Sequence, residues 1–101
     1  MTSRLVWSPT AEKDLLEIWG HIADQASVAR ADDQLRLIME ACEVLREWPL
    51  SGRSRDALVP GMRSIVSAPY VVFYRAGKTA VEVVRVLHGR RDIDAIFSDA
   101  P

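Results

Sequence analysis

The sequence predicts an α+β fold: a first strand, an antiparallel two-helix hairpin, then a three-stranded antiparallel meander, with a possible short C-terminal helix. Three observations point there. Residues 9–48 repeat apolar side chains at helical spacing, with one interruption near Ser27. Residues 62–88 are dominated by β-branched and aromatic side chains in three runs. Between them the polar stretch 50–56 marks the change of character.

Arg4-Leu5-Val6-Trp7 reads as the first strand, and Ser8-Pro9 as a helix start. Ser8 can accept from an otherwise unpaired N–H, and Pro9 loses nothing at the first helical position. Ala11, Leu15, Ile18, Ile22 and Ala26 then give a helix over about 9–25, with acidic residues mostly on its other faces. Ser27 starts the second helix, whose stripe is Ala31, Leu35, Ile38, Cys42 and Leu45. It should stop near Trp48, because Pro49 disfavours the helical region for its predecessor. The short link forces the two helices antiparallel.

The meander runs Met62 to Ser67, Tyr70 to Arg75, and Val81 to His88, with Gly77-Lys78 as a hairpin turn. Val83-Val84 and Val86-Leu87 place apolar groups on both faces, so the last strand should be interior to its sheet. Ile93, Ile96 and Phe97 can anchor a terminal helix or an extended tail. The expected architecture is one domain over 1–101, with a single helical layer on a twisted sheet.

At 101 residues and 49% hydrophobic content, the chain suits one core. It should bury about two-thirds of its unfolded surface, which leaves modest stability without a partner. No stretch reaches the ~18 apolar residues of a membrane helix, and no signal peptide is recognisable at the N-terminus. The lone Cys42 rules out an intrachain disulfide and suits a cytoplasmic location. Net charge is −1, unevenly placed. Residues 1–50 hold five Lys/Arg against nine Asp/Glu, and residues 51–101 eight against five. A positive working face on the C-terminal half is expected.

His21, His88 and Cys42 form no zinc-binding spacing, and there is no glycine-rich phosphate loop, dinucleotide fingerprint or nucleophile elbow. No cofactor or metal is therefore expected. His21, mid-helix, reads as a surface residue.

Arg63, Arg75, Arg85, His88 and the pair Arg90-Arg91 lie on or just beyond the meander. Guanidinium groups on a sheet suit phosphate, through a planar fork that keeps its charge. His88 could move a proton near neutral pH, and Tyr74 or Tyr70 could stack on a base. Structural pairing competes with this reading: Arg85 with Glu82, which needs a bulge or bend, or with carboxylates of the helical layer; Arg90 and Arg91 with Asp92 or Asp94. The helices also carry second apolar rows, Leu16, Trp19 and Ala23 on one and Leu37, Ala41, Val44 and Trp48 on the other. Such width serves packing on two neighbours, or a groove for an apolar partner helix anchored by Trp19 and Trp48.

Several segments, in order, are similar to ParE-type toxins of the RelE/ParE superfamily. They are Ser8-Pro9-x-Ala11-x-x-Asp14-Leu15-x-x-Ile18-Trp19-x-x-Ile22-Ala23, Pro49-x-x-Gly52-Arg53, Gly61-Met62-Arg63-Ser64, Tyr70-Val71-Val72-Phe73-Tyr74-Arg75, and Val83 to His88 followed by Gly89-Arg90-Arg91-Asp92. The resemblance spans nearly the whole chain. It implies a type II toxin neutralised by a ParD-like antitoxin, with operator DNA contacted only through that antitoxin. ParE-type members poison DNA gyrase, whereas RelE-type relatives cut mRNA on the ribosome. The near-neutral charge favours gyrase, since docking into ribosomal RNA calls for strong positive charge. On that reading there is no catalytic residue. Leu16, Trp19, Leu37, Val44 and Trp48 would meet the antitoxin, and Arg90 and Arg91 the target. The nuclease alternative would employ Arg63, Arg85, His88 and Tyr74. A third alternative is a non-toxic binding member of the same fold.

Overall fold

The computed structural model describes residues 2–98. After strand β1 (Arg4–Trp7), helix α1 covers Pro9–Gln25, the span its apolar spacing predicts. Ser8 sits in extended geometry and its Oγ accepts from the Ala11 N–H at 3.0 Å, so the first turn is capped by side chain and proline together. Helix α2 (Val28–Val44) begins in the same way, with Ser27 Oγ accepting from the Arg30 N–H at 3.1 Å. The helices form the expected hairpin.

Helix α2 ends at Val44, four residues short of the expected stop at Trp48. The chain leaves the helix to meet β1. Ser3 N–H donates to the Arg46 carbonyl at 2.8 Å, and Arg46 Nε returns a bond to the Ser3 carbonyl at 3.0 Å. Leu45, Arg46 and Glu47 close tight turns instead of helical ones.

The meander is present as β3 (Met62–Ser67), β4 (Tyr70–Ala76) and β5 (Ala80–His88). Two additions make it a five-stranded mixed sheet. Arg53–Ser54, within the stretch expected to be loop, forms a two-residue strand β2 against β3. Strand β1 pairs in parallel with β5, giving the order β1-β5-β4-β3-β2. β5 is therefore interior, as its two-sided apolar pattern predicts.

One face of the sheet packs on the hairpin. Ala11, Ile38 and Cys42 meet Tyr70, Val72, Val83 and Val86, and the core continues through Leu45, Tyr74 and Val81. The opposite face is not bare, contrary to the expectation of a single helical layer. Met62, Phe73 and Leu87 are covered by Leu58, Val59 and a short helix α3 (Ile93–Ser98). Phe97 meets Phe73 edge-on, ring centroids 4.8 Å apart. Asp92 Oδ1 accepts from the Ala95 N–H and starts this helix. No helix among the described residues is long and apolar enough to cross a membrane.

The β4–β5 ladder contains one irregularity that organises everything near it. Phe73 faces Arg85 while Tyr74 faces Val83, so Val84 is an extra residue on β5. A bulge of this kind disrupts the ladder locally, and Ser8 and Asp14 bond backbone groups of β5 beside it. Ser8 N–H donates to the Val83 carbonyl (2.9 Å), Ser8 Oγ to the Val84 carbonyl (2.9 Å), and Asp14 Oδ2 accepts from the Val86 N–H (2.9 Å).

Candidate functional site

The arginines of the sheet divide into occupied and free. Arg85, re-aimed by the bulge, reaches the helical layer rather than Glu82. Its Nε and Nη2 donate to Asp14 Oδ2 and Oδ1 at 2.8 and 3.0 Å, a two-point fork on a carboxylate that is itself buried. The hydrogen bond to Asp14 holds the Arg85 guanidinium above its ordinary range. Asp14 was readable: it shares the helical face of Ala11 and Ile18, and a carboxylate on a buried stripe requires a partner.

Arg63 and Tyr74 serve the loop before β2. Arg63 Nη1 donates to the Leu50 and Gly52 carbonyls at 3.1 and 2.8 Å. Tyr74 is fully buried; its hydroxyl donates to the Pro49 carbonyl at 2.8 Å and accepts from the Gly52 N–H at 2.9 Å. Gly52 permits this closeness, since a Cβ there would stand 2.5 Å from the Tyr74 hydroxyl and 2.8 Å from the Ser64 carbonyl. Burial raises the Tyr74 phenol and keeps it protonated. Its ring, like that of largely buried Tyr70, offers no open face for stacking.

His88 ends β5, its ring edge-on to Tyr70 with centroids 5.5 Å apart. Its Nδ1 accepts from the Arg90 N–H at 3.1 Å, which leaves Nε2 to carry the proton of the neutral ring. A cleft of about 340 Å³ opens beside it, bounded by Glu17, His21, Tyr70 and Arg91. Arg90 and Arg91 are exposed and form no ion pair with Asp92 or Asp94 among the described residues. Of the four residues of the nuclease alternative, Arg63, Arg85 and Tyr74 each hold a bond inside the fold through their side chains, whereas His88 is held only through Nδ1 by its near neighbour Arg90.

On the helical hairpin the second apolar rows are largely open. Leu16 is 72% exposed, Trp48 65%, Val44 55% and Leu37 48%. Trp19 differs: it is half-buried, and its Nε1 donates to Asp32 Oδ1 at 2.8 Å, linking α1 to α2. Met39 and Leu50, which sequence reasoning passed over, are also exposed. Met39 is one position beyond Ile38 of the buried stripe, and Leu50 lies in a stretch whose polarity concealed it.

The profile of the family described as "ParE toxin of type II toxin-antitoxin system, parDE" matches residues 5–93. A Mycobacterium tuberculosis protein named Toxin ParE1 is 38% identical over 95 residues, covering 93% of this chain and 97% of that one. Toxin ParE3 of Caulobacter vibrioides is 29% identical over 92 residues, covering 91% and 92%. Among solved structures, a chain of the chromosomal ParDE system from P. aeruginosa aligns with TM-score 0.76 at 22% identity, over 86% of this chain and 96% of its own. A chain of the RelBE2 toxin–antitoxin complex of M. tuberculosis aligns with TM-score 0.59 at 22% identity, over 87% and 99%. At such identity the two structures speak for a common fold.

Proposed function

The chain belongs to the ParE toxin family of type II toxin–antitoxin systems, and from that premise we propose a toxin that acts by binding a protein target, DNA gyrase, and has no nuclease chemistry of its own. One observation carries the choice against RNA cleavage. The guanidinium groups of Arg63 and Arg85 and the hydroxyl of Tyr74 are engaged with Gly52, Asp14 and Pro49 inside the fold. A ribonuclease needs such groups aimed at the scissile phosphate. The net charge of −1 supports the same reading.

The toxin is held in check by a ParD-like antitoxin in the cytoplasm. Leu16, Leu37, Val44 and Trp48, exposed on the hairpin, would receive its apolar segment; Trp19 contributes from a half-buried position. Arg90 and Arg91, exposed beyond β5, would face the target. Growth inhibition and plasmid stabilisation follow from that pairing.

Expression without antitoxin tests the reading. SOS induction and filamentation with intact transcripts, and cleaved DNA accumulating with purified gyrase, are the expected results. Cleavage of translated messages within the reading frame, abolished by His88→Ala, would overturn it in favour of the nuclease. Unimpaired growth with folded protein would indicate a binding member without toxicity.

A further inference from the structure

The cleft beside His88 lies where α1 passes the end of β5. Buried Tyr70 and Leu87 form its floor, and Glu17, His21, His88 and Arg91 line its sides. The segment that supplies two of these groups is fixed by bonds of its own. Gly89 N–H donates to the Pro69 carbonyl at 2.9 Å, and Arg91 N–H to the His88 carbonyl at 2.9 Å. The imidazole is held at Nδ1 by the Arg90 N–H and packs edge-on against the Tyr70 ring. Its Nε2–H is the donor that remains.

The acidic groups of the cleft are already answered. Asp14 is forked by Arg85, and Glu17 stands 4.0 Å from Lys13. Arg91 is exposed, joins neither, and makes no ion pair among the described residues. The cleft therefore carries one positive charge to spare and one neutral donor, over an apolar floor. A single carboxylate fits this set: it accepts from the planar guanidinium at two points and from the imidazole N–H. A nucleic-acid strand does not, because successive phosphates call for a run of cations. Here Glu17 across the cleft, and Asp92 and Asp94 along the chain, offset Arg90 and Arg91.

We propose that the cleft between α1 and the end of β5 receives an acidic side chain of the toxin's protein target, an Asp or Glu seated between Arg91 and His88 Nε2, with an apolar neighbour resting on Tyr70 and Leu87. This deepens the gyrase-binding reading above and rests on it. His88 acts as a hydrogen-bond donor and transfers no proton. Glu17 on the facing wall repels a second carboxylate, so an isolated acidic residue is selected over an acidic run.

Binding of antitoxin-free toxin to purified gyrase, measured with and without DNA, tests this. Arg91 lies outside the core clusters, so its variants keep the unfolding midpoint. Arg91→Met retains the apolar stem but loses the fork, and affinity falls by about tenfold. His88→Ala lowers affinity by about fivefold, whereas His88→Gln, with an amide N–H near the place of Nε2–H, stays within about twofold of the unaltered chain. Arg91→Lys treated with a water-soluble carbodiimide joins its new amine to the partner carboxylate as an amide, the carbodiimide taking up the water as a urea. Mass spectrometry then finds position 91 linked to an Asp or Glu of gyrase. Full affinity in Arg91→Met overturns the cleft and leaves the gyrase reading intact. Equal losses in His88→Gln and His88→Ala overturn the donor role and with it the proposal. Affinity for DNA alone that falls in Arg91→Met assigns the cleft to phosphate and also overturns it. A toxin with no affinity for gyrase under either condition overturns both readings.

Discussion

Asp14 and Arg85, 71 positions apart, meet as a two-point ion pair that ties the first helix to a bulge in the last strand. The carboxylate also accepts from the Val86 N–H next along the strand. The Arg85 side chain is only 24% exposed and that of Asp14 7%, so solvent screens the pair weakly. Asp14→Ala would leave a half-buried guanidinium and an orphaned N–H, with an expected loss of about 3 kcal/mol in denaturant unfolding. Arg85→Ala should lose toxicity only in step with stability. An Arg85 variant that keeps its midpoint yet loses toxicity would show that the guanidinium reaches the target.

The loop before β2 hangs on Gly52 and Tyr74. Tyr74→Phe removes the bonds to Pro49 and Gly52 and should cost about 1–3 kcal/mol. Gly52→Ala forces a methyl against the Tyr74 hydroxyl and the Ser64 carbonyl, with a cost of similar size. The combination Gly52→Ala with Tyr74→Phe should be less than additive, because the two share one contact. A thermodynamic cycle of the three variants measures this directly.

Two tryptophans on the hairpin should behave differently. Trp48, 65% exposed, should weaken antitoxin binding by more than 1 kcal/mol when changed to Ala, with the unfolding midpoint held. Trp19→Ala breaks the Asp32 link and should lower stability as well. Calorimetric titration with the antitoxin, set beside denaturation of each variant, separates the effects. A Trp48→Ala protein with full affinity would remove that residue from the interface.

Charge reversal at Arg90 and Arg91 should leave the fold and antitoxin affinity in place, since neither side chain has an ionic partner among the described residues. Toxicity should fall by tenfold or more in a growth assay, a loss of roughly 1.4 kcal/mol of target binding. Full toxicity in the double Glu variant would place the target contact elsewhere.

Burial pushes the Cys42 thiol up to about 12 from an ordinary 9.0. The thiol stays protonated in the folded chain after it has ionised in the unfolded one. Its contribution is complete below pH 9.0 and declines as pH rises toward the folded value. Stability should therefore drop above pH 9.0, less steeply in Cys42→Ala, and native protein at pH 8 should resist iodoacetamide until it is unfolded.

Most of the fold was legible because its elements follow from local signals. Ser8-Pro9 and Ser27 set both helix starts, and the two-sided apolar pattern of residues 83–87 identified an interior strand. What escaped depended on distant groups. The end of α2 is decided by Ser3, 43 positions away from Arg46, and the two-residue β2 exists only through its register with β3. The candidate site was less legible for the same reason. Arg85 shows as a cation in sequence, but Asp14 takes it up only once a bulge has turned it toward α1. Apolar rows on the hairpin were visible from spacing alone, although spacing does not distinguish open Leu16 from half-buried Trp19.

The parallel pairing of β1 with β5 has a consequence for how the chain comes into being. Arg4 to Trp7 take their ladder partners from Ala80 to Val83, made 76 positions later. Ser8 likewise waits for Val83 and Val84, and Asp14 for Arg85. Contacts this far apart in the chain form late and together. A chain without β5 keeps the β4-β3-β2 ladder but has no site for β1, so the sheet cannot be completed before residues 80–88 are made. An antitoxin that recognises the finished sheet would therefore find its surface only after β5 has been made.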